Sequence, residues 1–212
     1  MNTVIVGDGI ATPSKIVCVG RNYARHIEEL GNAVPDSPVI FLKPNSAIGG
    51  ELRASLQGEP LHYEGEIAFM VTGGRLAAVG FGLDLTRREL QSSLKSRGLP
   101  WERAKAFDGA ALFSPFMPLS VAIESLEVQL CIDGTERQRG QASLMLYSPA
   151  IILETLSSFM TLEDGDIIMT GTPEGVGPVT PGADFHGRIL ADGVVQAEGR
   201  WRALVGSGPD GT

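Results

Sequence analysis

Leu61–Val71, LHYEGEIAFMV, sets two glutamates two positions apart inside a largely apolar run. Side chains alternate along a strand with a period of two, so a continuous strand here points Glu64 and Glu66 to the same face. Two carboxylates that close repel each other unless a cation or a proton lies between them. A second apolar stretch, GFGLD, ends on Asp84, where a loop-facing carboxylate can join the pair. Three carboxylates from two strand ends form an all-oxygen site, which suits Mg²⁺, Mn²⁺ or Ca²⁺ better than zinc. A solvated polar strand face is the competing reading, and Glu-x-Glu alone does not decide between them.

Outward from this segment the chain reads as many short strands joined by turns, in keeping with its 27 glycines and 13 prolines. Strands are expected over Ile16–Val19, Val39–Leu42, Ile67–Val71 and Ala77–Leu83, with Gly73 and Gly74 turning between the last two. Leu126–Ile132 followed by Asp133-Gly134 reads as a hairpin, Asp166–Thr170 as a strand, and Asp192-Gly193 as a final hairpin turn. Three helices are predicted. One is short, Asn22–Leu30. One starts at Thr86, with Thr86 and Glu89 spaced as a capping box, and stops at Gly98. One follows Ser148-Pro149 and runs to about Met160. The fold class is therefore mixed α/β and strand-rich, as one domain over residues 1–206 with a disordered tail at 207–212.

Composition narrows the function. A formal charge of −8 with no basic run argues against a nucleic-acid partner. An acidic protein that binds acidic small molecules needs a local positive centre, which again points to a cation. No apolar stretch approaches the roughly 20 residues that span a bilayer, and the N-terminus has neither a signal nor a transit pattern. Cytoplasm without membrane attachment is the expectation. Cys18 and Cys131, the two cysteines, read as buried free thiols.

Other candidates for chemistry are scattered. His26 and Glu29, at i and i+3, share a face if their segment is helical. A carboxylate beside an imidazole can fix its tautomer and raise its basicity, as a general base requires; an ordinary surface contact is the alternative. Lys105, in WERAKAFDG, can pair with a carboxylate or steady an enolate, or simply snorkel to water. His62 reads as structural or orienting, since an all-oxygen site does not need it. The loop GTPEGVGP lacks the lysine of a P-loop and reads as a rigid turn whose amides and Thr172 could hold a carboxylate.

Six stretches in order, KIVCVGRNYARHIEELG, PVIFLKP, LHYEGEIAF, LDLTRRELQ, GLPWERAKAFD and LEDGDIIMTGTPEGVGPV, together resemble the fumarylacetoacetate hydrolase superfamily, especially its short acylpyruvase members. They run from Lys15 to Val179. The resemblance implies a mixed β-sandwich roll, usually a homodimer, with Glu64, Glu66 and Asp84 as ligands of Mg²⁺ or Mn²⁺. It implies that Lys105 is the active-site lysine, and that Arg88, Gln91, Arg21, Tyr23 and Thr172 contact substrate. His26 and Glu29 match a pair carried on a mobile lid. Gly65 departs from the larger apolar residue usual between the glutamates, which predicts a looser strand. The stretch from Glu66 to Asp84 is shorter than usual and lacks a small helix.

The function so implied is metal-dependent hydrolysis of a C–C bond in an acylpyruvate, a small 2-oxo acid. His26, oriented by Glu29, takes a proton from water and Lys105 steadies oxyanion charge. The alternatives are decarboxylation of oxaloacetate, tautomerisation or isomerisation of a related 2-oxo acid, and, from another class, non-catalytic metabolite binding.

Overall fold

The computed structural model describes residues 1–29, 31 and 33–205; the predicted tail at 207–212 and the last residue of the first predicted helix lie outside this set. In chain order the strands are β1 (Val4–Val6), β2 (Gly9–Ala11), β3 (Lys15–Gly20), β4 (Val39–Pro44), β5 (Ser55–Leu56), β6 (Glu59–Tyr63), β7 (Gly65–Thr72), β8 (Arg75–Asp84), β9 (Thr86–Arg87), β10 (Ala111–Phe113), β11 (Met117–Pro118), β12 (Leu126–Ile132), β13 (Thr135–Gln141), β14 (Ile167–Met169), β15 (Gly177–Pro178), β16 (Asp184–Ala191) and β17 (Val194–Arg202). The helices are α1 (Ala24–Glu29), α2 (Arg88–Ser96), α3 (Glu102–Lys105) and α4 (Pro149–Ser157).

Two sheets carry the fold. The larger has the order β10-β8-β7-β14-β3-β4, with β11 also on β8, and its one parallel pair is β14 with β3. The smaller has the order β13-β12-β16-β17 and is antiparallel throughout. They pack face to face, bringing Ile67, Phe69, Phe81 and Leu83 against Val128, Leu130, Phe185 and Ile189 in one core. Each large apolar side chain buried this way contributes about 1.5–3 kcal/mol. Close packing leaves no room for a side chain at position 187, where an added Cβ would sit 2.2 Å from the Phe81 ring.

β7 is buried on both faces, which explains its unbroken apolar run. Ile67 and Phe69 face the smaller sheet, while Ala68 and Met70 face a second core with Ile16, Phe116 and Met169. Behind the sheet, Ile152 and Leu156 of α4 cover Val17, Val71 and Ile168. Ser148 caps α4 by accepting the Ile151 amide, and Pro149 opens it. The hairpin turns fall where the sequence put them, with Asp133, Gly134, Asp192 and Gly193 all at positive φ.

Four expectations are corrected. The strand expected to carry both glutamates is interrupted at Glu64, between β6 and β7. Gly65 is held tightly, not loosely: its amide donates to Gln138 Oε1 at 2.9 Å, and an added Cβ would lie 3.1 Å from Phe81. The capping box does not form. Thr86 lies in β9, the N-cap residue Arg87 makes no side-chain cap, the Leu90 amide of α2 donates to Glu59 Oε1 at 3.1 Å, and the Thr86 hydroxyl accepts from Lys105 at 2.6 Å. The first helix begins only at Ala24, because Asn22 is drawn into the core as a side-chain donor to the Thr170 and Tyr147 carbonyls. Gly98 does end α2: it has φ +64°, and its amide and that of Leu99 close back on Lys95 and Leu94.

Candidate active site at the ends of β7 and β8

Glu64 immediately precedes β7, Glu66 lies within it and Asp84 ends β8, so antiparallel pairing of the two strands brings all three to one end of the sheet. All three are buried, and one carboxylate oxygen from each lies within 4.8 Å of the others. The proximity predicted from spacing is present, though a break in the strand produces it, not strand alternation.

Basic groups surround the cluster. Lys105, at the end of α3, is 2% exposed and donates to Glu64 Oε2 at 2.8 Å, Asp84 Oδ2 at 2.7 Å and the Thr86 hydroxyl. Arg88, the first residue of α2, donates to Glu64 Oε1 and, at 3.0 Å, to Gln91 Oε1. Glu66 Oε2 accepts the Gly171 amide at 2.7 Å. That amide is available because Gly171 has φ +99°, where an added Cβ would also fall 2.9 Å from Asn22 Cβ. A loop amide does hold a carboxylate, therefore, but one belonging to the protein.

These contacts separate the two glutamates electrostatically. Burial opposes ionisation of Glu64, yet Lys105, Arg88 and His26 outweigh it and hold this carboxyl well below the usual range. Burial pushes Glu66 up, as do the charges of Asp84 and Glu64; the Gly171 amide and Lys105 only partly offset this. Burial would favour neutral Lys105, but Asp84 and Glu64 raise its pKa, so it stays an ammonium. Of the two glutamates, Glu66 is thus the one whose charge the protein leaves less compensated.

The cleft above the cluster is lined by Val19, Gly20, Arg21, His26, Phe41, Glu64, Glu66, Asp84, Arg88, Gln91, Lys95, Trp101, Lys105 and Thr172. Arg21 adopts φ +57°, a conformation that costs a non-glycine residue about 1–3 kcal/mol. Its Nε is buried without a hydrogen-bond partner among the described residues. His26 is buried in α1 with Nδ1 3.3 Å from Glu29 Oε2. Glu29 also accepts the Gly175 amide at 3.1 Å, tying α1 to the GTPEGVGP loop, but it does not line the cleft.

Of two expected substrate contacts, Thr172 lines the cleft and Tyr23 does not. The Thr172 hydroxyl donates to the Gly65 carbonyl and accepts from Gln138 at 2.8 Å. It faces the cleft wall while already engaged in structure. Tyr23 stands outside the cleft, its buried ring in the core and its backbone bridged to Met145.

Sequence reasoning missed several participants. Lys43 is fully buried, with Nζ 2.8 Å from Asp84 Oδ1 as an ion pair and donating to the Lys105 carbonyl. The signal was a lysine closing the apolar run PVIFLKP. Gln138 ties Gly65 to Thr172 and to the Pro173 carbonyl, hidden in a strand that reads as polar throughout. Lys95 and Trp101 complete the wall, the ammonium 5.5 Å from the ring centroid.

Fold and site together define a class: a two-sheet β-fold whose strand ends hold a buried acid cluster bridged by lysine. The chain belongs to the family described as fumarylacetoacetate (FAA) hydrolase C-terminal, whose model matches residues 15–200. It is 44% identical over 200 residues to the mitochondrial oxaloacetate tautomerase of Arabidopsis thaliana, covering 86% of this chain and 89% of that protein. It is 37% identical over 188 residues to the mitochondrial oxaloacetate decarboxylase of Dictyostelium discoideum, covering 81% of this chain and 86% of the other. The crystal structure of fumarylpyruvate hydrolase from Pseudomonas aeruginosa, in complex with Mn²⁺ and pyruvate, superposes with a TM-score of 0.86. Its sequence identity is 32%, over 96% of each chain.

These similarities correct the acylpyruvase reading. Relatives at 37–44% identity carry oxaloacetate chemistry, which was the alternative and not the main expectation. They leave the family and the β-sandwich fold as expected. Among the described residues no helix is long and apolar enough to cross a membrane.

Proposed function

We propose that this chain interconverts the enol and keto forms of a four-carbon 2-oxo diacid of the oxaloacetate type, with Mg²⁺ or Mn²⁺ held by Glu64, Glu66 and Asp84. The observation that carries the reading is the buried carboxylate cluster bridged by the Lys105 ammonium. The residues fit a divalent cation. All donors are hard oxygens, and Glu66 is pushed toward its neutral form first by burial and then by the charges of Asp84 and Glu64, which a cation would offset. A bound cation would supply Lewis-acid polarisation of the 2-oxo oxygen.

The rest of the chemistry falls to side chains. Converting enol to keto breaks the O–H bond at C2 and forms a C–H bond at C3, so one proton leaves and another is delivered. Lys105 remains protonated and donates hydrogen bonds; it steadies negative charge on the C2 oxygen and does not act as the base. The proton transfer is assigned to His26, which lines the cleft and whose Nδ1 is engaged by Glu29. Similarity to the Arabidopsis tautomerase supports the reading. Decarboxylation of the same diacid is the second reading, supported by the Dictyostelium relative.

The test mixes enol-oxaloacetate with the protein and follows loss of the enol absorbance, with pyruvate assayed in parallel. Mg²⁺-dependent acceleration without pyruvate is expected, abolished by a chelator. Pyruvate appearing as fast as the enol disappears would favour decarboxylation. No acceleration of either process would overturn both.

A further inference from the structure

α2 turns three polar side chains toward the cleft at helical spacing, Arg88, Gln91 and Lys95. The first two are bonded to each other, and Arg88 also to Glu64. Lys95 lies one turn further along, half-buried, with its ammonium over the face of Trp101, another wall residue. Burial lowers the pKa of Lys95 first, and the charges of Arg21 and then Arg88 lower it further. Arg21 shares this wall with a strained backbone and a buried Nε that finds no partner among the described residues. The cleft lining thus gathers the cationic side chains of Arg21, Arg88 and Lys95 besides that of Lys105.

A 2-oxo diacid carries two carboxylates. Its first carboxylate lies next to the 2-oxo oxygen and goes with it to the acid cluster. Its second lies at the far end of the chain, and carrying it into a partly dry cleft without a cation is costly. We infer that Lys95, with Arg21 beside it, holds this far carboxylate and so sets the preference for 2-oxo diacids over 2-oxo monoacids. The inference rests on the proposed 2-oxo diacid chemistry of the cleft and adds a specificity-determining residue to it.

The test uses a matched pair of stable ligands, 2-oxoglutarate and 2-oxopentanoate, which share a chain length and differ in the far carboxylate. Binding is measured by calorimetry with Mg²⁺ saturating, for the wild type, Lys95→Met and Lys95→Arg. Methionine keeps the apolar stem against Trp101 and removes the charge. It should weaken the diacid about 10- to 100-fold, as expected for loss of a charged hydrogen bond, and leave the monoacid unchanged. Lys95→Arg should recover most of the loss, which a purely structural role would not predict. Equal weakening of both ligands would make Lys95 a packing residue of α2 and overturn the inference. Loss on neither, or a wild type that does not distinguish the two ligands, would do so as well. Enol conversion is scored separately. A protein that shows Lys95-dependent diacid binding but does not accelerate the enol would sink the tautomerase reading alone. Acceleration with an unchanged KM for enol-oxaloacetate in Lys95→Met would sink only the role of Lys95.

Discussion

The cleft at the ends of β7 and β8 and the outer face of the β13-β12-β16-β17 sheet are built from the same ionic side chains. On the outer face Arg202 pairs with Asp184 at 2.8 Å, both side chains about two-thirds exposed at 66% and 65%. Arg139 pairs there with Glu127, and His186 with Glu198. In the cleft Lys105 pairs with Asp84 at 2.7 Å, the side chains 3% and 1% exposed. The distances are alike, but the surroundings are not. Water screens the Arg202–Asp184 pair, so it is worth about 0–1 kcal/mol and can be lost without consequence. In the cleft no solvent compensates a missing partner, and each charge depends on the others. The lesson is that burial turns ordinary ion pairs into a cluster whose protonation can be set and used.

The largest effect that would sharpen this contrast is expected at Lys43. Lys43→Met removes a fully buried charge and leaves Asp84 with Lys105 as its remaining cationic partner. A stability loss of about 3–5 kcal/mol is expected, measured by urea denaturation of the metal-free protein. A loss below about 1 kcal/mol would put the cleft pair in the class of the outer ones.

Glu66 provides a pH signature of intermediate size. Its folded pKa is raised above the unfolded value, chiefly by burial and then by Asp84 and Glu64. The stabilisation this contributes is full below the unfolded pKa and is lost as pH rises through the folded one. The metal-free protein should therefore lose thermal stability as pH rises from the normal glutamate range, and Mg²⁺ should restore it. Glu66→Gln should abolish both that part of the slope and the Mg²⁺ rescue while the protein stays folded. An unchanged slope would assign the titration to another group.

The smallest effect is expected on the outer face. Arg202→Ala should change stability by no more than about 0.5 kcal/mol and leave Mg²⁺ binding and activity unaltered. A change comparable to that at Lys43 would break the comparison.

How much of this was legible in the sequence follows the range of the interactions. Hairpins at Asp133-Gly134 and Asp192-Gly193, the Ser148-Pro149 helix start and the Gly98 stop all depend on neighbours in the chain, and all formed. Glu64, Glu66 and Asp84 could be grouped because strand ends gather side chains. Thr86 misled because a local cap lost to a partner 19 residues away, the buried Lys105 ammonium. Lys43 and Gln138 went unseen for the same reason: their partners, Asp84 and Thr172, lie across the fold. Gly65 was expected to loosen its strand, but Phe81 and Gln138 pack against it. The reaction was the least legible feature, since hydrolysis, decarboxylation and tautomerisation can all start from an acid cluster with a lysine.

The most direct test of the central claim, that the buried cluster bridged by Lys105 performs keto–enol chemistry, compares wild type with Lys105→Met in rapid mixing with enol-oxaloacetate at saturating Mg²⁺. In the proposed chemistry the ammonium steadies the C2 oxygen, so the variant should lose about 10²–10³ in rate while still binding Mg²⁺. A Lys105→Met protein that converts the enol at the wild-type rate would contradict the claim.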